Sequence, residues 1–355
     1  FCLIKYSPEG NQLWPQPVVY DSGAEDGINS MAVDSADNII VTGYSKIWHD
    51  YDQDGQKDEG EINLDYYTIK YDGDGNKLWS KAFDQGRNDG ALEVVVDSVN
   101  NVIVTGACNL WHDYDQDGKE DDEEVNSDYG TIKYHQDGNE VEEVWDEPLF
   151  YDSQHPDTAY GAAVDSQNNI IVTGSYSTPP PQVQPGTIAL PQTHGYITIK
   201  YDSEGKQIWK VTYDGAGQEN VYDVAVDSEN NIIVTGKDSS GGSWNYYTIK
   251  YREDGKELWD RTYDGGQWDS ALDVVVDSAD NIIVTGSSQA PSGVDGNGGT
   301  PAESGGLPTG AIVGIAMGGC AAVGLAYYYL VYQRERLLPR AERRRRAAKQ
   351  RKKAA

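Results

Sequence analysis

Four short apolar or alternating runs recur in a fixed order along most of the chain. In one complete set they read "ALDVVVDS", "NIIVTG", "YYTIKY" and "KELWDRTYD", and we label them A, B, C and D. Turn pairs such as Asp-Gly, Glu-Gly and Asp-Asn separate A from B and C from D. β-branched and aromatic residues dominate, and no helical periodicity appears before residue 311. The pattern therefore predicts four short antiparallel β-strands in each unit.

The unit is an internal repeat with five copies. The string "N-[IV]-I-V-T-G" is preceded each time by "VDS", and it occupies residues 38–43, 101–106, 169–174, 231–236 and 281–286. The hairpin of runs C and D also has five copies, at residues 1–14, 66–79, 129–145, 196–209 and 246–259. Four antiparallel strands at a period of roughly 40–50 residues are typical of a β-propeller blade.

These units resemble the SBBP-type β-propeller repeats of bacterial and archaeal surface proteins. The resemblance rests on the "AVDSxxNxxVTG" core and on the "Y-x-x-x-Y-x-x-x-G-x-x-x-W" hairpin, and it covers residues 1 to about 288. It implies an extracellular propeller. It implies no particular activity, because such repeats are rarely tied to one.

The order of the runs predicts how the ring closes. The chain opens with C and D (residues 1–20), continues through four complete sets, and ends its repeats with A and B (residues 270–287). Two strands from each end would form one blade and hide the exposed sheet edges. We therefore predict an all-β, five-bladed propeller over residues 1–288, whose closing blade has 2+2 strands. A fragment of a larger ring is the alternative. One tryptophan per unit lies on run D, where it is expected to pack between blades: Trp14, Trp79, Trp145, Trp209 and Trp259.

All the large insertions fall between runs B and C. They occupy residues 44–64, 107–127 and 175–194, in three consecutive blades. Because neighbouring strands alternate in direction, these insertions are expected on one face of the propeller, where function on a rigid scaffold concentrates. The third insertion is rich in proline and is either a docking segment or a long loop.

The first two insertions carry the same acidic motif, "D-x-D-x-D-G-x-x-D-x-x-E". It has carboxylates at positions 1, 3, 5, 9 and 12 and glycine at position 6, the spacing of an EF-hand calcium loop. We therefore predict two Ca²⁺ sites, in which the residue at position 7 offers its backbone carbonyl. The predicted ligands are Asp50, Asp52, Asp54, Gln56, Asp58 and Glu61 in the first loop, and Asp113, Asp115, Asp117, Lys119, Asp121 and Glu124 in the second.

No helix is expected beside these loops. They resemble the calcium loops inserted between blade strands of other propellers, such as integrin α-chains, rather than regulatory EF-hands. The alternative is a solvated acidic loop without an ion. If calcium binds, it either stiffens the loops or bridges a ligand.

Non-repeating aromatic residues gather near the same face. Exposed tryptophans beside carboxylates suit stacking on sugar rings or anchoring of a protein partner, and the alternative is that each covers its own loop. The predicted ligand face consists of Trp48, Trp111, Trp244 and Trp268, and His49 and His112 either support the loops or are simply exposed. Recurring aspartates before run A are expected to cap turns.

Charge divides the chain into two parts. Of a net charge of -30, residues 311–355 contribute about +9, so the remainder carries about -39. Such a body would repel nucleic acid. Residues 311–332 contain no charge and are long enough to span a bilayer, and the basic tail 333–355 follows them directly. We therefore predict a linker at 289–310, a single transmembrane helix, a cytoplasmic tail and an extracellular propeller.

These features predict a cell-surface, membrane-anchored, calcium-binding propeller for adhesion or recognition of a glycan or protein. A structural spacer or envelope component is the second hypothesis, and an extracellular enzyme, glycosidase or quinoprotein-like, is the third. No Ser-His-Asp pattern, phosphate-binding loop or distinctive nucleophile is present, so an enzyme is not the prediction.

Overall fold

The computed structural model describes residues 1–58, 61–118, 124–137, 140–177, 194–215 and 217–289. In these ranges it contains 21 β-strands and no α-helix, so the predicted all-β class is confirmed. The strands are β1 (Cys2–Leu3), β2 (Val18–Val19), β3 (Asp26–Val33), β4 (Ile39–Trp48), β5 (Ile62–Tyr71), β6 (Lys77–Phe83), β7 (Asp89–Val96), β8 (Val102–Trp111), β9 (Val125–Asp137), β10 (Glu140–Glu143), β11 (Leu149–Tyr151), β12 (Asp157–Val164), β13 (Ile170–Ser177), β14 (His194–Tyr201), β15 (Gln207–Tyr213), β16 (Glu219–Val226), β17 (Ile232–Asp238), β18 (Asn245–Tyr251), β19 (Glu257–Tyr263), β20 (Asp269–Val276) and β21 (Ile282–Ser288).

The strands form four larger antiparallel sheets, which we call blades 1 to 4. Blade 1 has the order β3-β4-β5-β6, blade 3 the order β12-β13-β14-β15, and blade 4 the order β16-β17-β18-β19. Blade 2 has five strands, in the order β10-β9-β8-β7, with β11 also paired to β9. Each run is thus one strand in blades 1, 3 and 4, run D of blade 2 is divided into β10 and β11, and each complete set is one sheet, which is the arrangement of a repeat β-propeller-like fold.

The hydrophobic core lies between consecutive sheets. The second strand of each blade is buried on both faces, as Ile40 and Val41 show with exposed fractions of 0%. One buried cluster joins Ile40 and Tyr66 of blade 1 to Val94 of blade 2, and another joins Ile171 of blade 3 to blade 4. At ~25 cal/mol per Å² of buried apolar surface, this face-to-face packing is the main source of stability.

Three repeated polar contacts link or support the turns at one end of the blades. The run-D tryptophan donates its indole N–H to the C–D turn of the next blade, as in Trp14 to the Gly73 carbonyl at 3.3 Å and Trp209 to the Glu253 carbonyl at 2.9 Å. Serine amides of the A–B turns bond the Asn or Asp side chain of the next A–B turn at 3.0 Å. A lysine on the third strand pairs with the aspartate that follows the first strand; the pairs are Lys70–Asp34, Lys133–Asp97, Lys200–Asp165 and Lys250–Asp227.

The predicted 2+2 closing blade is not present as one sheet. Strands β1 and β2 form one two-stranded sheet and β20 and β21 another, and no ladder joins them in the part of the chain that the structure describes. The sheet β1–β2 packs on blade 1, and β20 packs on blade 4. The outer edge of β21 is consequently uncovered: Ile283 is 53% exposed, whereas its counterpart Ile40 is 0% exposed.

No helix long and apolar enough to cross a bilayer occurs among the described residues. The predicted transmembrane helix (311–332), basic tail (333–355) and nearly all of the linker lie outside those residues.

Acidic side chains of the first strands approach one another across different blades. The Ser30 hydroxyl of blade 1 donates to Glu93 of blade 2 at 2.5 Å. Burial raises the pKa of Glu93 to about 7, and Asp273 adds repulsion. Burial also raises the pKa of Asp223 in blade 4 well above its usual value, with further repulsion from Glu93 and Asp273. These carboxyl groups therefore favour their protonated form in the folded protein.

Stability is expected to fall as the pH rises from 6 to 8. The folded state binds more protons than the unfolded state wherever the folded pKa is the higher one, so the free energy of unfolding decreases through this window. We expect the melting temperature to drop by more than about 4 °C, the effect of roughly 1–2 kcal/mol in a protein of this size. Calorimetry of the chain and of Asp223→Asn checks this, since the variant should show a shallower slope. An equal or steeper slope for the variant would contradict the assignment.

Candidate functional site

The polar site is built twice, on two adjacent hairpins at the B–C end of the sheets. In blade 1 it follows β4 and precedes β5, and in blade 2 it lies between β8 and β9. The strands extend further than the sequence predicted, because Trp48 pairs with Ile62 and Trp111 with Val125. The loops proper are therefore residues 49–61 and 112–124, and the outer parts of the predicted insertions 44–64 and 107–127 belong to the strands.

In the first acidic loop, aspartate carboxylates accept hydrogen bonds from backbone amides of the same loop. The Gly55 amide donates to Asp50 Oδ2 at 3.1 Å and the Asp54 amide to Asp52 Oδ1 at 3.1 Å. Gly55 has a φ of 74°, the left-handed conformation that glycine adopts at no steric cost. Asp50, Asp52 and Asp54 each place one carboxylate oxygen within 4.8 Å of the others. These are positions 1, 3 and 5 of the predicted calcium loop.

The last residue of the loop is tied to the strand before it. Glu61 is only 6% exposed, and its Oε2 accepts the Trp48 indole N–H at 3.0 Å and the Asp58 amide at 3.2 Å. The hydrogen bond from Trp48, followed by those from backbone amides, lowers the pKa of Glu61, so this carboxylate is ionised at neutral pH. Gln56 bonds Asp54 through its side chain at 3.1 Å. The predicted metal contact of its carbonyl stays a prediction.

The second loop repeats this geometry. The Gly118 amide donates to Asp113 at 3.1 Å, the Asp117 amide to Asp115 at 3.0 Å, and the Trp111 indole to Glu124 Oε2 at 3.1 Å. Here Asp113, Asp115 and Glu124 bring ligand atoms within 4.8 Å of one another. The predicted ligands Lys119 and Asp121 lie outside the described residues. Two loops with the same spacing thus form the same contacts.

A second polar cluster, which was not predicted from the sequence, lies beside each loop. In blade 1, His49 Nε2 is 2.8 Å from Asp65 Oδ2, and His49 Nδ1 is 3.5 Å from Asp84 Oδ2. Tyr51 stacks on His49 and donates its hydroxyl to Asp84 at 2.7 Å, and Asn63 donates to the Tyr51 hydroxyl at 3.0 Å. This arrangement, which we call the His–Asp cluster, joins the loop to the following strand and to the D–A turn.

Blade 2 carries the same His–Asp cluster with similar distances. His112 Nε2 is 2.6 Å from Asp128 Oδ2, His112 Nδ1 is 3.7 Å from Asp152 Oδ2, and Tyr114 donates to Asp152 at 2.9 Å. Burial, followed by repulsion from Asp152, raises the pKa of Asp128 to about 8. In blade 1, burial raises the pKa of Asp65, and the contact with His49 offsets part of that shift. The position of Asp65 and Asp128 is occupied by Gly195 and Asn245 in blades 3 and 4.

The four predicted ligand-face tryptophans occupy different environments. Trp48 and Trp111 use their indole N–H groups within their own loops, as described above. Trp244 packs under the Lys237 ammonium, 4.3 Å from its ring centre. Trp268 is 68% exposed and is the most accessible of the four. Their role in binding stays a prediction.

The recurring aspartates before the first strands cap turns, as the sequence predicted. Asp89 accepts the Gln85 amide at 2.8 Å, Asp157 the Ser153 amide at 2.6 Å, and Asp269 the Gly265 amide at 2.6 Å. Their carboxylates are thus used by the backbone. The Pro-rich third insertion lies outside the described residues from 178 to 193.

Comparisons with known proteins give a sequence match over part of the chain. No protein-family model matches the chain. A WD repeat-containing protein of Acanthamoeba polyphaga mimivirus, itself uncharacterized, is 35% identical over 113 residues, which cover 30% of this chain and 8% of the relative. The chain thus corresponds to a small part of that relative's length.

Two solved structures are similar at low identity. A protein of unknown function from Dyadobacter fermentans has a TM-score of 0.41 and 8% identity, with 77% of this chain and 76% of that chain covered. A gluconolactonase from Xanthomonas campestris has a TM-score of 0.36 and 14% identity, with coverages of 73% and 69%. The four blades and the WD-repeat relative agree on a repeat β-propeller-like fold.

Proposed function

We propose that the chain is a cell-surface recognition module whose two B–C loops each bind one calcium ion. The observation that carries the proposal is the duplication of an acidic loop with the same sequence spacing, although the three carboxylates that converge are positions 1, 3 and 5 in the first loop and positions 1, 3 and 12 in the second. Each loop brings three carboxylate oxygens within 4.8 Å of one another, and each bonds its final glutamate to a tryptophan of the preceding strand. Hard, multivalent cations favour such all-oxygen clusters. Two ions on neighbouring blades would create a rigid, charged surface at one end of the sheets.

A glycan is the ligand class that fits this surface best. Calcium coordinated by loop carboxylates can also accept hydroxyl groups, and the exposed Trp268 offers a flat apolar ring for stacking. The strongly acidic body excludes nucleic acid as a ligand. The uncharged run 311–332 and its basic flank would anchor the module in the membrane with the tail in the cytoplasm.

The decisive experiment measures binding of the purified chain to a panel of glycans and envelope polymers, with calcium and with chelator. A ligand that binds only with calcium, and more weakly to Trp268→Ala, supports recognition. A calcium-induced rise in melting temperature without any bound ligand would instead favour the spacer hypothesis, in which the ions only stiffen the loops.

We further propose that β1–β2 and β20–β21 join as the fifth blade of a closed ring. The lysine–aspartate contact of blade 1 has both of its residues at this junction, whereas the Thr42–Thr68 hydroxyl pair does not, because Leu3 stands where blade 1 has Thr68. Lys5 and Asp277 stand where the Lys70–Asp34 pair stands in blade 1, and Thr285 corresponds to Thr42. Pairing β21 with β1 would cover Ile283 and remove two exposed sheet edges.

A disulfide between Leu3→Cys and Thr285→Cys tests closure in a background in which Cys2 and Cys320 are serine. By the blade 1 register, in which Thr42 opposes Thr68, Leu3 would directly oppose Thr285. Directly opposed residues lie within the ~4.4–6.8 Å between Cα atoms that a disulfide requires. We expect quantitative, intramolecular oxidation and a melting temperature raised by several degrees, which corresponds to ~2–4 kcal/mol. The pair Thr42→Cys/Thr68→Cys, whose hydroxyls are 2.9 Å apart, is the positive control. If only the control pair oxidises, the ring is open.

A further inference from the structure

Each His–Asp cluster contains buried oxygen atoms that have no hydrogen-bond partner among the described residues. Asp65 is 0% exposed, and its Oδ1 has no hydrogen-bond partner among the described residues. The amide oxygen of Asn63, two residues earlier on the same face of β5, is also buried and unpartnered there. Asp128 and Asn126 show the same deficit in blade 2. A buried acceptor without a donor is costly, and finding the same deficit twice indicates a missing positive group.

The histidine alone cannot supply that group. His49 Nε2 is hydrogen-bonded to Asp65 Oδ2 at 2.8 Å, whereas its Nδ1 lies 3.5 Å from Asp84 Oδ2, an ion-pair distance and not a hydrogen bond. A neutral imidazole has one N–H, which satisfies Asp65 Oδ2 but supplies no positive charge to the two carboxyl groups. A doubly protonated ring would supply that charge and still leave Asp65 Oδ1 unpaired. A cation beside the ring removes both problems.

We propose that each His–Asp cluster binds one divalent transition-metal ion of the zinc class, through His49, Asp65 and Asp84 in blade 1 and through His112, Asp128 and Asp152 in blade 2. In each trio one ligand atom per residue lies within 4.8 Å of the other two. An ion bound at ~2.0–2.2 Å requires only a modest contraction of such a set. Imidazole nitrogen favours zinc, nickel and cobalt over calcium, whereas the adjacent loops offer oxygen alone. The two kinds of site thus differ in the metals that they select.

The surroundings favour a structural metal. Tyr51 donates to Asp84 at 2.7 Å and Asn63 to the same carboxylate at 3.1 Å, which fixes that ligand before the ion binds. The cluster connects three segments of blade 1: the start of the loop, strand β5 and the turn before blade 2. An ion here would hold the base of the loop whether or not calcium occupies its tip.

The test is titration of the full chain with Co²⁺ in saturating calcium, followed by visible absorption. We expect two Co²⁺ per chain with ligand-field bands, and loss of the bands when Zn²⁺ is added. In His49→Gln/His112→Gln the Co²⁺ affinity should fall by more than about 100-fold, because removing a direct ligand exceeds the ~10–100-fold effect of removing a supporting group. His135→Gln, which changes a histidine bonded to Asn101 outside the clusters, should leave both ions bound.

If the histidine variant does not fold, the nearly isosteric variant Asp65→Asn/Asp128→Asn takes its place. It should also lose the Co²⁺ bands. Co²⁺ that fails to bind the unaltered chain in the presence of calcium overturns the inference, as does equal binding by these variants and the unaltered chain. Calorimetric counting of calcium in the same samples separates this result from the proposed function. If the chain binds cobalt but no calcium, the inference about the His–Asp clusters stands and the proposed calcium sites in the loops are wrong.

Discussion

Glu61→Gln is expected to bind one calcium ion per chain where the unaltered chain binds two, and Glu61→Gln/Glu124→Gln is expected to bind none. The glutamate is the last ligand of each loop and the one that can offer two oxygens to the ion. Its amide replacement removes a charge and one of those oxygens but still accepts a hydrogen bond from the tryptophan of the preceding strand. We therefore expect a loss of calcium affinity of more than about 100-fold, or ~2.7 kcal/mol, with little change in the calcium-free fold.

Isothermal titration calorimetry counts the ions directly. Asp74→Asn, in the C–D turn of blade 1, removes the same charge far from the loops and should still bind two ions. Retention of two ions with unchanged affinity in the double glutamate variant would falsify the assignment of the loops as calcium sites.

Lys200→Met is expected to lower the free energy of unfolding by ~3–5 kcal/mol. Lys200 is 3% and Asp165 4% exposed, and the ammonium lies 2.8 Å from the carboxylate. The methionine fills the space but leaves Asp165 as a buried, uncompensated charge, although amides of its own turn still bond it. The lysine also donates to the Glu253 carbonyl of blade 4, so the variant weakens the contact between two sheets.

Denaturant unfolding measures this effect, and the chain supplies a matched control. Arg252 and Asp254 form an ion pair in which both side chains are about half exposed. Exposed pairs of this kind contribute ~0–1 kcal/mol, so Arg252→Met should be nearly neutral. Equal effects of the two substitutions would show that burial does not set the strength of the repeated lysine–aspartate pairs.

The strands could be predicted from the sequence because each unit repeats the same short pattern. Alternating β-branched and aromatic residues between Asp-Gly-type turns give one strand per run in blades 1, 3 and 4, and the four complete sets are the four blades. The predicted loop ends were less accurate. Residues 44–48 and 62–64 continue the β4–β5 ladder, because a hairpin lengthens wherever opposing backbones can still pair. The resemblance to SBBP-type repeats, the two calcium sites and the transmembrane helix stay predictions.

The His–Asp clusters could not be predicted from local spacing because their members come from three segments. His49 precedes the loop, Asp65 lies on the returning strand, and Asp84 belongs to the turn before the next blade. Comparing the blades would have given a signal. His49, Tyr51, Asn63 and Asp65 all have counterparts in blade 2, and Gly195 and Asn245 occupy the Asp65 position in blades 3 and 4, where the acidic loop is absent.

The contacts that fasten one blade to the next concentrate at one end of the sheets. The tryptophan and serine contacts and the bond from Lys200 to the Glu253 carbonyl all involve A–B or C–D turns, whereas the acidic loops and the His–Asp clusters lie at the B–C end. A mutation or insertion at the B–C end is therefore expected to leave these contacts between blades intact. The sequence of the B–C loops can thus vary without new selection on the packing of the blades, much as antibody loops vary on an unchanged framework.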